Sequence, residues 1–341
     1  MPSYSPVSMK AFVRLLLLFW LCSSSIQAQQ GTVMTVTGPV PSSEIGLSLI
    51  HEHVLVDFIG AERTGKHRWD KKEVIPAVLP FLNKAKKLGM KTLVECTPAY
   101  IGRDPLLLKK LSETSDVQII TNTGFYGASD NKFLPRHAYS ESADQLAERW
   151  IKEAEEGIDG TGIQPGFIKT GVNGGSLSDL HAKLITAAAK THLATGLIIA
   201  SHTGPAVPAF EQIAILEKEG VDPSAFIWVH AQGEPDLDMH VKAAKVGAWV
   251  SLDGLDNSNV ATYLKMLENL KSQDLLHRVL LSHDAGWYSP GEEKGGEFRP
   301  YTTLFEKLIP LLIQHGWTER EIEQLLVINP RNAVEIRVRR K

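Results

Sequence analysis

The stretch Leu47-Ser48-Leu49-Ile50-His51-Glu52-His53-Val54-Leu55-Val56 opens the regular part of this chain and reads as a β-strand. Apolar residues lead into two histidines at i and i+2. Strand residues two apart point to the same side, so His51 and His53 aim both imidazoles at one place. That spacing suits a metal ion, although a buried or surface histidine pair would share it.

Outward from this strand the pattern repeats as a short apolar run, a polar loop and an amphipathic helical stretch. Candidate strands span 47–53, 92–97, 117–123, 166–170, 197–202, 226–231, 248–253 and 278–284. Helical stretches at 71–88, 105–113, 140–157, 178–195, 208–219, 236–246 and 260–273 separate them, and 301–315 and 318–327 follow the last strand. Ser140 and Ser178 stand where N-caps belong; Gly89, Gly157, Gly196, Gly220 and Gly247 stand just past helix ends. Near-continuous apolar strands alternating with helices imply a parallel sheet covered by helices. Eight such units in about 290 residues fit an α/β protein built as one (β/α)8 TIM barrel. No Gly-rich phosphate fingerprint follows the first strand, which argues against a dinucleotide fold.

The 341 residues, 43% hydrophobic, are enough for one large barrel or two ordinary domains. No linker or low-complexity stretch divides them, so the expected organisation is a targeting segment over 1–28, a lead-in over 29–45 and a single domain over 46–341. Lys10 and Arg14 precede the apolar run Leu15 to Leu21, and Ile26-Gln27-Ala28 offers a cleavage site, the pattern of a signal peptide. The run is too short to span a bilayer. The expectation is a periplasmic or secreted protein with no membrane span after cleavage. Lipoprotein anchoring at Cys22 is the lesser reading, because Phe19-Trp20-Leu21 is bulky for a lipobox. Cleavage after Ala28 leaves Cys96 as the only cysteine, read as a small buried hydrophobe. Two of the 36 basic residues and none of the 39 acids lie in the first 28, so the remainder carries −5. Nothing in that balance suggests a nucleic-acid partner.

Barrel enzymes build their sites at the C-terminal ends of the strands. Those ends carry His51 and His53, Glu95, Lys169, His202, His230, Asp253, and His283 with Asp284. Imidazoles and carboxylates from separate strands suit zinc and similar divalent ions. Lys169, in Phe167-Ile168-Lys169-Thr170-Gly171, is the odd member. An ammonium buried beside metal cations should lose its proton, and a neutral amine can add carbon dioxide to form a carbamate able to bridge two metals. The blander reading pairs Lys169 with a substrate anion or with Glu95.

These residues sit in motifs that resemble the phosphotriesterase family of the amidohydrolase superfamily. The motifs are Gly46-Leu47-Ser48-Leu49-Ile50-His51-Glu52-His53, Thr97-Pro98 with Gly102-Arg103-Asp104, and Gly166-Phe167-Ile168-Lys169. They continue through Ser201-His202-Thr203-Gly204, Val229-His230-Ala231, Ser282-His283-Asp284 and Asn329-Pro330-Arg331. The resemblance covers residues 32 to 336. It implies two divalent ions per chain, zinc by preference: His51, His53 and Asp284 on a buried α metal, His202 and His230 on an exposed β metal. Carboxylated Lys169 (N6-carboxylysine, its carbon dioxide held as the carbamate) and a hydroxide would bridge them. Ile50 departs from the small residue or Thr usual in the family, without touching the ligand set. The resemblance also implies a homodimer.

The chemistry expected of such a centre is hydrolysis, since bound metals lower the pKa of water and polarise a carbonyl or phosphoryl oxygen. Asp284 would accept the hydroxide's proton, and Asp253 would assist its removal. Tyr126, after the third strand, matches the place where lactonase-type members carry a carbonyl-polarising tyrosine. Trp287 and Tyr288 would form an aromatic wall, to which the Trp69 loop could add. The Gly-rich stretch 287–301 reads equally as a lid or a solvated loop. Glu95 is read as orienting a histidine or forming an ion pair, Glu52 and His283 as facing away from the barrel interior, and Arg103 and Asp104 as opening a helix. His67, His137, His181, His192, His240, His277 and His315 read as solvated or capping groups. The leading expectation is therefore an exported lactonase or carboxylic-ester hydrolase with promiscuous phosphotriesterase activity. A dedicated phosphotriesterase comes next, and a catalytically idle barrel that binds a solute or partner is a distant third.

Overall fold

A computed structural model describes residues 31–341, and the signal-peptide reading of residues 1–28 lies outside them. Eight parallel strand positions close a barrel in chain order: β3 (Ser48–Glu52), β4 (Thr92–Glu95), β5 (Gln118–Ile120) with β6 (Asn122–Thr123), β7 (Phe167–Gly171), β8 (Ile198–His202), β9 (Phe226–Val229), β10 (Trp249–Leu252) and β11 (Val279–Leu281). The expected third strand is thus two short ones, broken at Thr121. Closure runs between β11 and β3, where Asp284 N donates to His51 O and His53 N to Ala285 O.

Alternation along the strands builds two layers. Ile50, Val94, Ile120, Phe167, Ile198, Ile227, Trp249 and Leu280 fill the barrel. Their neighbours Ile168, Ile199, Trp228, Val250 and Leu281 face the surrounding helices. This pattern is what β-strands buried on both faces require. The lead-in does not stand apart from the barrel. A hairpin, β1 (Thr32–Thr35) and β2 (Gly38–Pro41), puts Val33 into the inner cluster with Ile45, so residue 45 marks no structural boundary.

The helices follow the sequence reading, with corrections at their ends. Ser178 caps α5 (Asp179–Thr195) as expected. Ser140 does not cap the preceding one: it ends a short α3 (His137–Ser140), and Ser142 opens α4 (Ala143–Glu156) in a capping box with Gln145. The stretch 301–315 begins as a π turn, Leu304–Leu308, before α9 (Ile309–Gln314). The Asn-Pro-Arg motif starts a further helix, Asn329–Val334, and Asn329 Nδ2 donates to Leu276 O and Val279 O at 2.7 Å each, tying that helix to the foot of β11.

Candidate metal centre

The geometry of the rim begins with an irregularity in β3. Leu49 pairs with Leu93 but Glu52 with Glu95, so β3 carries one extra residue, a β-bulge. Leu49 packs outward and Ile50 inward. Strict alternation would then turn His51 outward. The bulge resets the phase, so His51 and His53 face the interior while Glu52 faces the β11 side. At the far edge, Gly286 at φ 96 lies against His53 O where no Cβ would fit, letting the two strand ends approach.

His51, His53, Lys169, His202, His230 and Asp284 line one cavity of about 110 Å3. His51 Nε2 and His53 Nε2 lie 3.6 and 2.9 Å from Asp284 Oδ1. The His230 ring stands 5.0 Å from His51 and 4.5 Å from His202, centroid to centroid. His230 and Asp284 hold left-handed φ values of 61 and 52, uncommon for residues with a Cβ and concentrated at functional sites.

Three of the four rings are oriented from behind. Asp253 Oδ2 lies 3.1 Å from His51 Nδ1, and Asp253 Oδ1 lies 2.7 Å from His230 Nδ1 and accepts from His230 N at 3.0 Å. Thr97 Oγ1 holds His53 Nδ1 at 2.8 Å. One buried carboxylate therefore fixes two rings and directs their Nε2 atoms into the cavity. The cluster of His51, His230 and Asp253 has metal-like spacing, but Asp253 occupies the Nδ1 side and so acts as the orienting group. It makes no hydrogen bond to Asp284; the two carboxylates are linked through the His51 ring, whose Nδ1 faces Asp253 and whose Nε2 faces Asp284.

Burial and charge set the protonation states. Burial lowers His51 to about 4, with Asp253 acting in the opposite direction. Burial also lowers His202 strongly, aided by His230 and Lys169. Against burial, the charge and hydrogen bond of Asp253 raise His230. Burial works against the ionised Asp284, yet the hydrogen bond from His53 and the charge of His51 hold its carboxyl below the usual range. Burial pushes Lys169 down from the ordinary lysine range. Its amine makes no hydrogen bond among the described residues and borders the cavity. A partnerless buried amine, the Nε2 atoms of His51 and His53 beside an ionised carboxylate, and the His202 and His230 rings on the same cavity fit a pair of divalent ions.

The substrate side is mostly apolar. Val56 and Ile101 line it and cluster with Phe133 behind them, with Tyr126 and Trp287 packed on that cluster, and Phe58, Pro98 and Cys96 complete the apolar lining. Tyr126 meets His202 edge-on at 5.1 Å and Trp287 meets His53 at 6.0 Å. Burial, with Asp284 adding to it, keeps the Tyr126 hydroxyl protonated. Phe58 and Ile101 were missed from sequence, although their place just beyond strands one and two was a usable signal.

Other expectations need correction. Tyr288 is buried in the core beneath α1 (Lys71–Lys87), because its segment pairs with Leu55 and successive residues face opposite ways. Trp69 donates to Asp104 Oδ2 and lines a different cavity. Among the described residues Glu95 forms no ion pair and hydrogen-bonds no histidine; it accepts from Val54 N and Thr97 N, and reaches His53 through its charge and through Thr97. The 287–301 loop is clasped through Arg68, which bonds both Asp57 Oδ2 and Pro290 O. His181, His192 and His240 are buried and bond Gly127 O, Leu197 O and Ala231 O, pinning helices to neighbouring loops. His283 does point away from the cavity, with Nδ1 at 2.6 Å from the buried Glu52. Arg103 grips Glu153 through both Nη atoms, and Asp104 caps the helix Pro105–Ser115.

The model of the phosphotriesterase family matches residues 31–334. The chain belongs to the phosphotriesterase family. It is a metal-dependent hydrolase of that family with a candidate binuclear site. Within the family, the phosphotriesterase homology protein of Escherichia coli is 30% identical over 289 residues, covering 84% of this chain and 96% of that protein. The aryldialkylphosphatase of Saccharolobus solfataricus is 28% identical over 307 residues, covering 86% and 96%. The organophosphorus hydrolase of Deinococcus radiodurans superposes with a TM-score of 0.79 at 27% identity, covering 92% of this chain and 100% of that one. Phosphotriesterase-family relatives at 28% and 25% identity are named phospho-furanose lactonase, from Mycoplasmopsis agalactiae, and N-acetyltaurine hydrolase, from Xenopus tropicalis.

Proposed function

We propose that this protein hydrolyses small lactones or carboxylic esters at a binuclear zinc centre, with phosphotriesters as slower substrates. The cavity carries this reading: about 110 Å3 is well below the roughly 300 Å3 at which ordinary small-molecule pockets begin, and Tyr126 stands against the His202 ring. A bulky triester would need the Phe58–Trp287 wall to move.

His51, His53 and Asp284 would hold one ion and His202 and His230 the other, with Lys169 as the carbamate between them. Two ions there would supply Lewis-acid polarisation of the scissile carbonyl and lower the pKa of water. The chain's own groups do the rest. Lys169, neutral through burial, adds carbon dioxide at Nζ and releases one proton. Asp284, ionised and partly open to solvent, accepts a proton at its carboxylate and passes it outward. Tyr126 keeps its hydroxyl hydrogen and can donate to the carbonyl oxygen. Val56, Ile101 and Trp287 exclude water around the acyl chain.

Elemental analysis with kcat/KM for lactones, aryl esters and a phosphotriester tests the proposal. Two zinc-like ions per chain and a lactone or ester preference are expected. Tyr126→Phe should lower lactone turnover by about 100-fold, the scale for one lost donor at a developing oxyanion, with metal content unchanged. Turnover of the phosphotriester alone would favour a dedicated phosphotriesterase, the reading that the names aryldialkylphosphatase and organophosphorus hydrolase support. No metal and no turnover after reconstitution with zinc and bicarbonate would leave a binding barrel. No helix among the described residues is long and apolar enough to cross a membrane; export by the 1–28 segment and homodimer formation belong to the same proposal, to be checked by the mature N-terminus and by solution mass.

A further inference from the structure

Glu52 stands between two candidate ligands at the end of β3 and is wholly buried. Among the described residues no lysine or arginine pairs with it, and its one basic partner is His283. A buried carboxylate without a cation is costly unless hydrogen bonds satisfy it, and four donors do so here. Oε1 accepts from Ser282 Oγ at 2.8 Å, His283 N at 3.0 Å and His283 Nδ1 at 2.6 Å; Oε2 accepts from Ala285 N at 2.9 Å. His283 Nε2 accepts from Leu304 N at 3.0 Å, so the ring carries its hydrogen on Nδ1 and gives it to Glu52.

All four donors belong to the short segment 282–285, and that segment holds Asp284. The amides on either side of Asp284 both donate to the Glu52 carboxylate, while the Asp284 amide donates to His51 O at 3.0 Å. Three successive N–H groups are thus fixed to two successive residues of β3. In a regular strand successive N–H groups point to opposite sides, so three toward one neighbour need a turn in the backbone. Asp284 supplies it at φ 52, a left-handed value uncommon for a residue with a Cβ. With that turn made, Asp284 Oδ1 lies 2.9 Å from His53 Nε2 and 3.6 Å from His51 Nε2. The same clamp reaches both histidines: Ser282 Oγ accepts from His51 N at 3.0 Å, and Ala285 O accepts from His53 N at 2.9 Å. None of these bonds involves Lys169, His202 or His230.

We infer that Glu52 is a positioning residue for one ion of the centre, an inference that rests on the binuclear reading above. Its carboxylate sets the turn at Asp284 and so aims that side chain, together with His51 and His53, at a single ion position. The position built from His202 and His230 lies outside its network.

Zinc titration of the full-length apo-protein against a competing chelator tests this in the wild type, Glu52→Gln and Asn329→Ala. Glutamine keeps the size and one acceptor oxygen. Turned so as to keep the three donors at Oε1, it sets its NH2 group against Ala285 N–H and releases the backbone on one side of Asp284. The wild type should show two affinities. In Glu52→Gln one of them should weaken by about 10- to 100-fold, the usual scale for a partner behind a ligand, with the other within threefold. Asn329→Ala loosens the foot of β11; it should lower the urea midpoint and leave both affinities unchanged, which separates positioning from general stability. In a His230→Asn background, the affinity that remains should be the one that Glu52→Gln weakens. Ser282→Ala, a milder release of the same clamp, should weaken that ion by a smaller factor, and it decides the matter if Glu52→Gln does not fold. Unchanged zinc affinities in a folded clamp variant, or equal weakening of both ions, would overturn the inference. A wild type that takes up no zinc would overturn the binuclear reading and this inference with it.

Discussion

Replacing Asp253 by Asn should damage one metal position while leaving the fold in place. The carboxylate accepts from His230 N and Ser251 Oγ and lies 2.7 and 3.1 Å from the Nδ1 atoms of His230 and His51. An asparagine has one acceptor oxygen. Turned toward His230, where it would meet both the backbone N–H and Nδ1–H, it sets its NH2 group against His51 Nδ1. His51 must then accept at Nδ1 and carry its hydrogen on Nε2, the atom that faces Asp284. That tautomer cannot ligate. One charge-assisted hydrogen bond is worth about 1.5–3 kcal/mol, or roughly 10- to 150-fold, close to the 10- to 100-fold usual for partners behind a ligand. Zinc titration of the apo-protein against a competing chelator should show two affinities in the wild type. In Asp253→Asn one of them should weaken by about that factor, with circular dichroism unchanged. Two ions bound within threefold of wild-type affinity would refute the assignment of Asp253 as the shared anchor.

Three other outcomes follow from the geometry. Lys169→Ala should lose metal and activity together, with partial rescue by acetate or propionate; two ions per chain and full activity in the mutant would remove Lys169 from the bridge. Glu52→Ala, which strands the His283 ring and the Ser282 and Ala285 donors, should destabilise the fold by about 3–5 kcal/mol, readable as a lower urea midpoint. Burial holds His181, His192 and His240 below the ordinary histidine range, so the unfolded chain takes up those protons first. These three groups should therefore add no slope well above about pH 6.5 and lower stability as pH drops through it, by up to about 4 kcal/mol per unit for three protons, with His51 and His202 acting in the same direction; equal urea midpoints at pH 7.5 and 5.5 would contradict this.

Local period carried most of the architecture. Apolar runs bounded by glycine and separated by amphipathic helices sufficed to place eight strand positions, and strand ends sufficed to pick His51, His53, Lys169, His202, His230 and Asp284, which one cavity then brings together. Some of what was missed was also local. His181 lies on one helical stripe with Leu184, Ile185 and Ala188, and His240 on one with Ala243 and Ala244; three- and four-residue spacing marks them as core histidines. The bulge in β3 leaves no such trace, yet it decides that the two histidines face inward.

Only the closed barrel decided the partners. Asp253 reaches His51 across 202 positions and Glu52 reaches His283 across 231. Tyr288 turns outward because its segment pairs with Leu55, and Phe58 joins Trp287 to narrow the cavity. A chain pattern states which way a residue points relative to its own element. Which groups then meet depends on the register and closure of strands far apart in sequence, and that is set by the packing of the whole core.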